Sequence, residues 1–199
     1  IRLFLNKEVL LFHPFLLFNL NKNNIDMVSK KVEEALNRQI LLEGESSQFY
    51  LSMASWAENQ GYVGTAEFLY RHADEERQHM LKLVRYINER GGAAKIPAIS
   101  EPPVEFEGLT KAFENLLKHE QKVTAEINGI VFTCLEEKDY TTHNFMQWYV
   151  SEQIEEEATA RGILDRIKLT GSEKGGLYLF DRDLENLTGG SISVPNAGK

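Results

Sequence analysis

Apolar residues recur at steps of three and four along four long stretches of the chain, with polar residues between them. This spacing places the apolar side chains on one face of an α-helix. The pattern predicts four long helices, over about residues 29–59, 63–90, 108–137 and 140–169. Ser29 is a favourable N-cap for the first of them. A short fifth amphipathic helix is predicted over residues 177–187, after Gly175 and Gly176.

The links between these helices predict the topology. The turns at residues 60–62 and 138–139 are short, so each joins an antiparallel pair of helices. Residues 91–107 contain three prolines, which favour an extended connection. Such a link reaches roughly 55 Å, whereas a helix of about 28 residues is roughly 42 Å long. The expected fold is therefore all-α, a four-helix bundle with one long crossover and a short fifth C-terminal helix.

Each of the four apolar faces also carries glutamate. The acids at these inward positions are Glu43, Glu76 and Glu120 and, on the fourth helix, Glu152 and Glu156. Glutamate is almost never fully buried without a partner, and an uncompensated buried carboxylate costs several kcal/mol. Because neither lysine nor arginine occupies these faces, a bound cation is the simplest partner for the acids.

The positions of the acids along the helices predict that they meet. Glu43 and Glu76 lie 18 and 15 residues from Gly61 in the first turn, and Glu120 and Glu156 each lie 18 residues from the second turn. At about 1.5 Å per residue, all four are roughly 23–27 Å from the ends of their hairpins. The sequence therefore predicts one layer of acids near the middle of the bundle.

Glu76 and His79 narrow the choice of metal. They are three residues apart, so both can reach one metal from a single helix face. A site of carboxylates with one imidazole suits iron or manganese, whereas a structural zinc site usually contains thiolates. Glu76 is placed to bridge two ions. His72 and His119 are interpreted as surface or interfacial residues, and Trp148 as a core residue.

Composition argues against nucleic-acid binding and against an intrachain disulfide. The chain has 199 residues, 42% of them hydrophobic, enough for one domain with its own core. Its net charge of −8 argues against nonspecific nucleic-acid binding and is compatible with attraction of cations. The single cysteine, Cys134, excludes an intrachain disulfide and favours a reducing compartment, so we expect a cytoplasmic protein.

Residues 1–26 differ from the rest of the chain. The apolar run at residues 9–18 resembles the hydrophobic part of a signal peptide, but His13 and Pro14 interrupt it and no small-residue cleavage site follows. The run is too short to span a bilayer, so no membrane association is expected. We interpret residues 1–26 as an extension outside the fold, either upstream sequence, a leader or a partner-binding segment. Residues 27–199 form the predicted domain.

The distribution of acids resembles that of the bacterial non-haem ferritins, within the ferritin-like di-iron carboxylate family. The family pattern takes one glutamate from each of two helices and a Glu-x-x-His pair from each of the other two. Glu43 and Glu120 match the single glutamates, and Glu76 with His79 matches one pair. The resemblance extends from residue 27 to about residue 187.

The fourth helix departs from that pattern. Gln153 and Glu156 stand where the second pair would have glutamate and histidine, which resembles ferritins proper rather than bacterioferritins. Arg77 also occupies the place where the haem-ligating methionine of bacterioferritins would be expected. The resemblance therefore implies a protein without haem.

The resemblance also implies roles for the site residues. The first iron would be held by Glu43, Glu76 and His79. The second would be held by Glu76, Glu120 and Glu156, with Gln153 beside them. A third iron site would take Glu75, Glu152 and Glu155, with Glu156 shared. Tyr50 and Trp148 would lie near the centre as candidate electron donors.

The implied function is iron storage with ferroxidase activity. Fe(II) would be oxidised by oxygen or peroxide and deposited as ferric oxide inside a homo-oligomeric shell of 24 subunits, with the fifth helix at a symmetry axis. One alternative is another di-iron bundle oxidase or peroxidase, such as a rubrerythrin-like protein, whose usual Cys-x-x-Cys module the single cysteine excludes. The other is a non-enzymatic helical interaction module with its acids on the surface.

Overall fold

The computed structural model describes residues 28–171 and 173–186. Five helices follow one another along this part of the chain: α1 Lys30–Asn59, α2 Val63–Glu89, α3 Leu109–Glu136, α4 Tyr140–Thr170 and α5 Lys174–Asn186. The all-α prediction is confirmed, and the bounds of the first four helices agree with the predicted ones to within one residue. The interpretation of residues 1–26 lies outside the described residues. No helix in the described ranges has the length and apolar character that crossing a membrane requires.

Local chemistry fixes the ends of the long helices. The Ser29 side chain accepts a hydrogen bond from the Val32 amide at 3.3 Å, and the Asp139 carboxylate accepts one from the Thr142 amide at 3.0 Å. Both bonds satisfy amides that have no partner within the helix. Gly61, with φ +85°, closes the tight turn between α1 and α2. These caps and turns define the two hairpins, α1–α2 and α3–α4.

Helix α5 begins three residues earlier than predicted, at Lys174, and contains the two glycines that the sequence analysis placed before it. A side chain at Gly176 would collide with the Thr170 carbonyl oxygen at the end of α4. The glycine therefore permits close approach of α5 to α4 instead of ending the helix. Beyond it, Phe180 and Leu184 are buried in the core.

The first turn of α2 receives its cap from α5. Tyr62, the N-cap residue of α2, makes no side-chain cap bond. Instead the Asp181 carboxylate accepts hydrogen bonds from the amides of Gly64 and Thr65, at 3.1 and 2.8 Å, and from the Thr65 hydroxyl at 2.7 Å. A carboxylate is favourable at this position because it faces the positive end of the helix dipole. The bonds fix α5 against the start of α2.

The crossover between α2 and α3 runs along α1. At Gly44, in the middle of α1, an added Cβ would lie 2.9 Å from the Ile99 side chain of the crossover. Glycine thus lets the connection lie directly on the helix. The Ser52 hydroxyl, further along α1, donates a hydrogen bond to the Pro103 carbonyl oxygen at 2.6 Å. These contacts confirm that the link spans much of the bundle.

Two apolar clusters fill the bundle, one toward each end. One cluster includes Phe113 and Ile163 and the residues of α5, and the other includes Leu36 and Ile127. On each long helix, buried polar side chains lie between the stretches that belong to the two clusters. The buried polar residues of this middle layer include Gln39, Glu43, Glu76, His79, Glu120 and Gln153. Of the four acids that the helix spacing placed in one layer, Glu43, Glu76 and Glu120 are buried there, whereas Glu156 is partly exposed.

Candidate metal centre

The first group of candidate ligands joins α1 to α2. Ligand atoms of Glu43, Glu76 and His79 lie within 4.8 Å of one another, and we call these three residues the inner cluster. His79 Nδ1 is 3.6 Å from a Glu76 carboxylate oxygen and 3.8 Å from one of Glu43. Relative exposures of 1% for Glu43 and 3% for Glu76 show that water solvates neither carboxyl group. Gln39, one turn before Glu43, donates a hydrogen bond to it at 2.8 Å.

Glu120 approaches the same layer from α3 and is held by two uncharged donors. The Tyr50 hydroxyl donates to one of its carboxylate oxygens at 3.0 Å, and the Gln153 amide donates to the other at 3.2 Å. All three side chains are buried. Tyr50 and Gln153 therefore fix the orientation of a carboxylate that would otherwise have no partner.

The electrostatics of the layer favour either protons or a cation. Burial and then repulsion from Glu76 raise the pKa of Glu43 well above its usual value. Burial and then repulsion from Glu120 raise the pKa of Glu76. Burial also raises the pKa of Glu120, although Gln153 and Tyr50 oppose this shift by stabilising its anion. Without metal, the layer is most stable with some of its carboxyl groups protonated, and a multivalent cation can replace those protons.

A second group of candidate ligands lies one turn along α2. Ligand atoms of His72, Glu75 and Glu156 lie within 4.8 Å of one another, and we call these residues the outer cluster. Glu75 is exposed, and His72 Nε2 is 3.8 Å from its carboxylate. Burial and then repulsion from Glu120 raise the pKa of Glu156. Glu156 therefore lies with His72 and Glu75 by distance, and its carboxyl group is also repelled by Glu120 of the middle layer.

His72, interpreted from the sequence as a surface or interfacial residue, is partly buried and takes part in the outer cluster. Its ring packs against Phe68 and Tyr50 at centroid distances of 4.0 and 5.5 Å, and 15% of its side chain is exposed. Its Nδ1 is 3.0 Å from the Phe68 carbonyl oxygen, which fixes the proton on Nδ1 and leaves the Nε2 lone pair for a cation. Burial lowers the pKa of His72, which further favours the neutral, ligating form. Its position four residues before Glu76, on the same helix face, is the sequence signal that could have identified it.

His119, also interpreted as a surface or interfacial residue, is partly buried against α1. Its Nε2 lies 2.7 Å from the Ser46 hydroxyl, and its ring lies 5.1 Å from that of Phe49. Burial, and to a lesser degree the charge of Lys122, lower the pKa of His119 to about 4. His119 is therefore a neutral residue that links α3 to α1 beside the middle layer.

The fourth helix turns a different residue inward from the one expected. Gln153 is buried and contacts Glu120, whereas Glu152 is partly exposed and Glu155 is exposed. Burial raises the pKa of Glu152. Of the acids assigned to a third site, the structure brings Glu75 together with Glu156, while Glu152 and Glu155 lie outside the outer cluster.

An aromatic group borders the inner cluster on α4. The Tyr149 hydroxyl donates a hydrogen bond to the His79 carbonyl oxygen at 2.8 Å. The Trp148 ring stands edge to face with the His79 ring at 5.1 Å. Trp148 is partly exposed rather than core, and the Lys82 ammonium lies 3.2 Å from its ring centroid. Trp148 therefore connects the inner cluster to the surface of the subunit.

The donor set decides which cations fit. The two clusters offer carboxylate oxygens and imidazole nitrogens and no thiolate, which suits iron or manganese. The inner cluster offers ligand atoms for a metal ion, and the buried Glu120 lies in the same layer. The outer cluster offers a second group of ligand atoms, which solvent can reach through the exposed Glu75.

Comparisons with known proteins agree with this geometry. The family described as Ferritin-like domain matches residues 33–170. A probable bacterial non-heme ferritin-like protein of Haemophilus influenzae is 47% identical over 162 residues, which cover 81% of this chain and 98% of that protein. A bacterial non-heme ferritin of Campylobacter jejuni is 45% identical over 161 residues, covering 81% and 96%. An open pore ferritin of Archaeoglobus fulgidus superposes with a TM-score of 0.79 at 41% identity, covering 81% of this chain and 98% of that one.

Proposed function

The chain is an iron-storing member of the ferritin family, and from that premise we propose that its inner cluster is part of a ferroxidase centre. The observation that carries the proposal is the burial of Glu43 and Glu76 beside His79, in a cluster that contains neither lysine nor arginine. Buried carboxylates of this kind require a cation or protons. Fe(II), the substrate, supplies the charge that these residues lack.

We propose two iron positions in this layer. We assign the first to Glu43, Glu76 and His79, whose ligand atoms already lie together. We assign the second to Glu76, Glu120 and Glu156, which repel one another electrostatically in the metal-free protein. Glu76 is common to both and bridges the ions. Tyr50 and Gln153 orient Glu120 through their hydrogen bonds.

The protein contributes charge, orientation and proton release to the reaction. Two Fe(II) ions each lose one electron, and oxygen accepts both electrons with two protons to give hydrogen peroxide. Binding of Fe(II) to the inner cluster displaces protons from Glu43 and Glu76, whose carboxyl pKa values are raised in the metal-free state. Burial of the layer excludes bulk water from the ions. The redox chemistry itself belongs to iron.

We assign a third ion to the outer cluster, with His72 as a ligand beside Glu75 and Glu156. Glu156 serves both this position and the second iron, so an ion can pass from the buried layer to the exposed Glu75 without losing contact with carboxylate. Glu152 and Glu155, which are more exposed, add negative charge that attracts cations.

The assembled protein is proposed to be a shell of 24 subunits without haem that stores ferric oxide. Ferritin relatives and structural neighbours over most of the chain support a homo-oligomer. On α2, the Met80 sulfur lies against Gly44 of its own subunit, where it packs between helices instead of facing a haem. We place the shell in the cytoplasm, in keeping with a single cysteine.

Aerobic oxidation of Fe(II) tests the site. Glu76→Ala and His79→Ala should each reduce the initial rate by at least about 100-fold, because each removes a ligand. Glu67→Ala, an exposed acid on the same helix, should match the unsubstituted protein. An unchanged rate in the first two variants would refute the assignment. A particle mass of one subunit with no iron load would favour a helical interaction module.

A further inference from the structure

Trp148 lies between a proposed iron ligand and a fixed positive charge. Its ring meets the His79 ring edge to face at 5.1 Å. Lys82, one turn after His79 on α2, places its ammonium 3.2 Å from the centroid of the same indole ring. The Glu152 carboxylate attracts Lys82 from the neighbouring α4. We propose that Lys82 is a positioning residue that protects Trp148 from one-electron oxidation while iron is oxidised beside it.

The protection follows from the sign of the interaction. The face of a neutral indole is negative and attracts an ammonium group. An indole that has lost an electron is positive, and at the same distance the attraction becomes repulsion. The ammonium therefore stabilises the reduced ring and destabilises the oxidised one. The effect is strong here because the ammonium is close to the ring and both side chains are only partly solvated.

The oxidant that would attack Trp148 is derived from a product of the proposed function. This inference therefore rests on that function. Hydrogen peroxide and Fe(II) yield Fe(III), hydroxide and a hydroxyl radical. The radical takes one electron from the indole and becomes hydroxide, which leaves an indole radical cation. That cation then loses its Nε1 proton to water. Lys82 opposes the electron loss, which is the step that generates positive charge on the ring.

The chain contains an internal reference for this chemistry. Trp56, the second of its two tryptophans, lies in the other apolar cluster, away from the inner cluster. Its ring is bordered by those of Phe106 and Tyr62, at 5.4 and 6.4 Å. Oxidation at Trp56 therefore reports general damage, whereas oxidation at Trp148 reports the environment of Lys82.

The first experiment compares Lys82→Met with Lys82→Arg in the assembled protein during aerobic Fe(II) turnover. Oxidised Trp148 and Trp56 are quantified by peptide mass spectrometry. We expect oxidation of Trp148 to rise about tenfold in Lys82→Met, which keeps the length but removes the charge, and to stay unchanged in Lys82→Arg. Equal oxidation of Trp148 in all three proteins while Fe(II) is being oxidised, or a parallel rise at Trp56, would overturn the proposal.

A second experiment separates this inference from the proposed function. Metal-free protein is exposed to azide radical, a one-electron oxidant, and the indole radical absorbance is followed, with Trp148→Phe to identify its source. A larger Trp148 signal in Lys82→Met supports the role of Lys82, and if the protein then fails to accelerate Fe(II) oxidation, the proposed function alone fails. Equal Trp148 signals in the metal-free proteins overturn the role of Lys82, whatever iron does.

Discussion

The inner and outer clusters contain the same residue types and differ in their surroundings. On α2, Glu76 precedes His79 by three residues, and His72 precedes Glu75 by three, so the two pairs are the same motif in opposite order. Glu76 is 3% exposed, whereas the Glu75 side chain is 57% exposed. The inner carboxylates must find a proton or a cation, while water can solvate the outer carboxylate of Glu75. Burial, rather than ligand identity, therefore decides which cluster requires an ion.

Two neighbouring residues provide the sharpest contrast between the clusters. Glu76→Gln should weaken tight anaerobic Fe(II) binding by at least about 100-fold, because it removes the ligand proposed to bridge both ions. Glu75→Gln should weaken it less than about fivefold, since only the solvent-facing position loses a ligand. Calorimetric titration without oxygen measures both. Equal losses in the two variants would mean that burial does not distinguish the clusters.

The stability of the metal-free protein should depend on pH through the inner cluster. Folding raises the pKa of Glu43 and Glu76 above the ordinary 4.5, so it favours their protonated forms. Their contribution to stability is therefore fully present below pH 4.5 and is lost as the pH rises through the folded pKa values. Each carboxyl should lower the free energy of unfolding by at most about 1.4 kcal/mol per pH unit. Thermal unfolding at fixed protein concentration, from pH 5 upward, follows this loss.

Two controls tie that pH dependence to the inner cluster. Glu43→Gln on α1 removes one titrating group and should make the decline shallower, while Glu67→Gln, at an exposed position of α2, should leave it unchanged. Saturating Zn(II), which is redox-inert, should also flatten the decline because the ion takes the place of the protons. Because folding lowers the pKa of His119 from 6.5 to about 4, that residue adds stability as the pH rises toward 6.5. Stability of the metal-free protein that increases with pH above 6.5 would contradict the assignment.

The smallest expected effect concerns the outer cluster alone. His72→Gln keeps a polar side chain but removes the imidazole lone pair, so the third ion should be lost while the two inner ions remain. The initial rate of Fe(II) oxidation should change by less than about threefold, because the ligands of the inner cluster are intact. Metal analysis after anaerobic loading gives the stoichiometry. Retention of three ions per subunit would exclude His72 as a ligand.

Helix spacing and link lengths were sufficient to predict the bundle. The four long helices and the crossover followed from periodicity and prolines, because each feature is local in the chain. The start of α5 was not predicted correctly. In the sequence alone Gly176 indicates a helix boundary, whereas in the fold it lies inside α5 and contacts Thr170 of α4. That distinction depends on tertiary packing, which the local sequence does not contain.

The candidate site could likewise be predicted only in part from the sequence. The acids on the apolar faces were recognised because their burial conflicts with their charge. On α4 the run from Glu152 to Glu157 carries acids on several faces, so periodicity could not select Gln153 as the inward residue. His72 was not recognised as a candidate ligand because the rings that pack against it, Tyr50 and Phe68, are contributed partly by another helix.

The bond between Asp181 and the start of α2 has a consequence for biosynthesis. The α1–α2 hairpin leaves the ribosome long before residue 181, so the first turn of α2 stays uncapped until most of the chain has been made. Loss of such a cap costs about 1 kcal/mol. Chains interrupted before residue 181 would fray next to Thr65 and expose the apolar surface that Phe180 and Leu184 normally cover. The start of α2 is therefore capped only in chains that have been synthesised beyond residue 181.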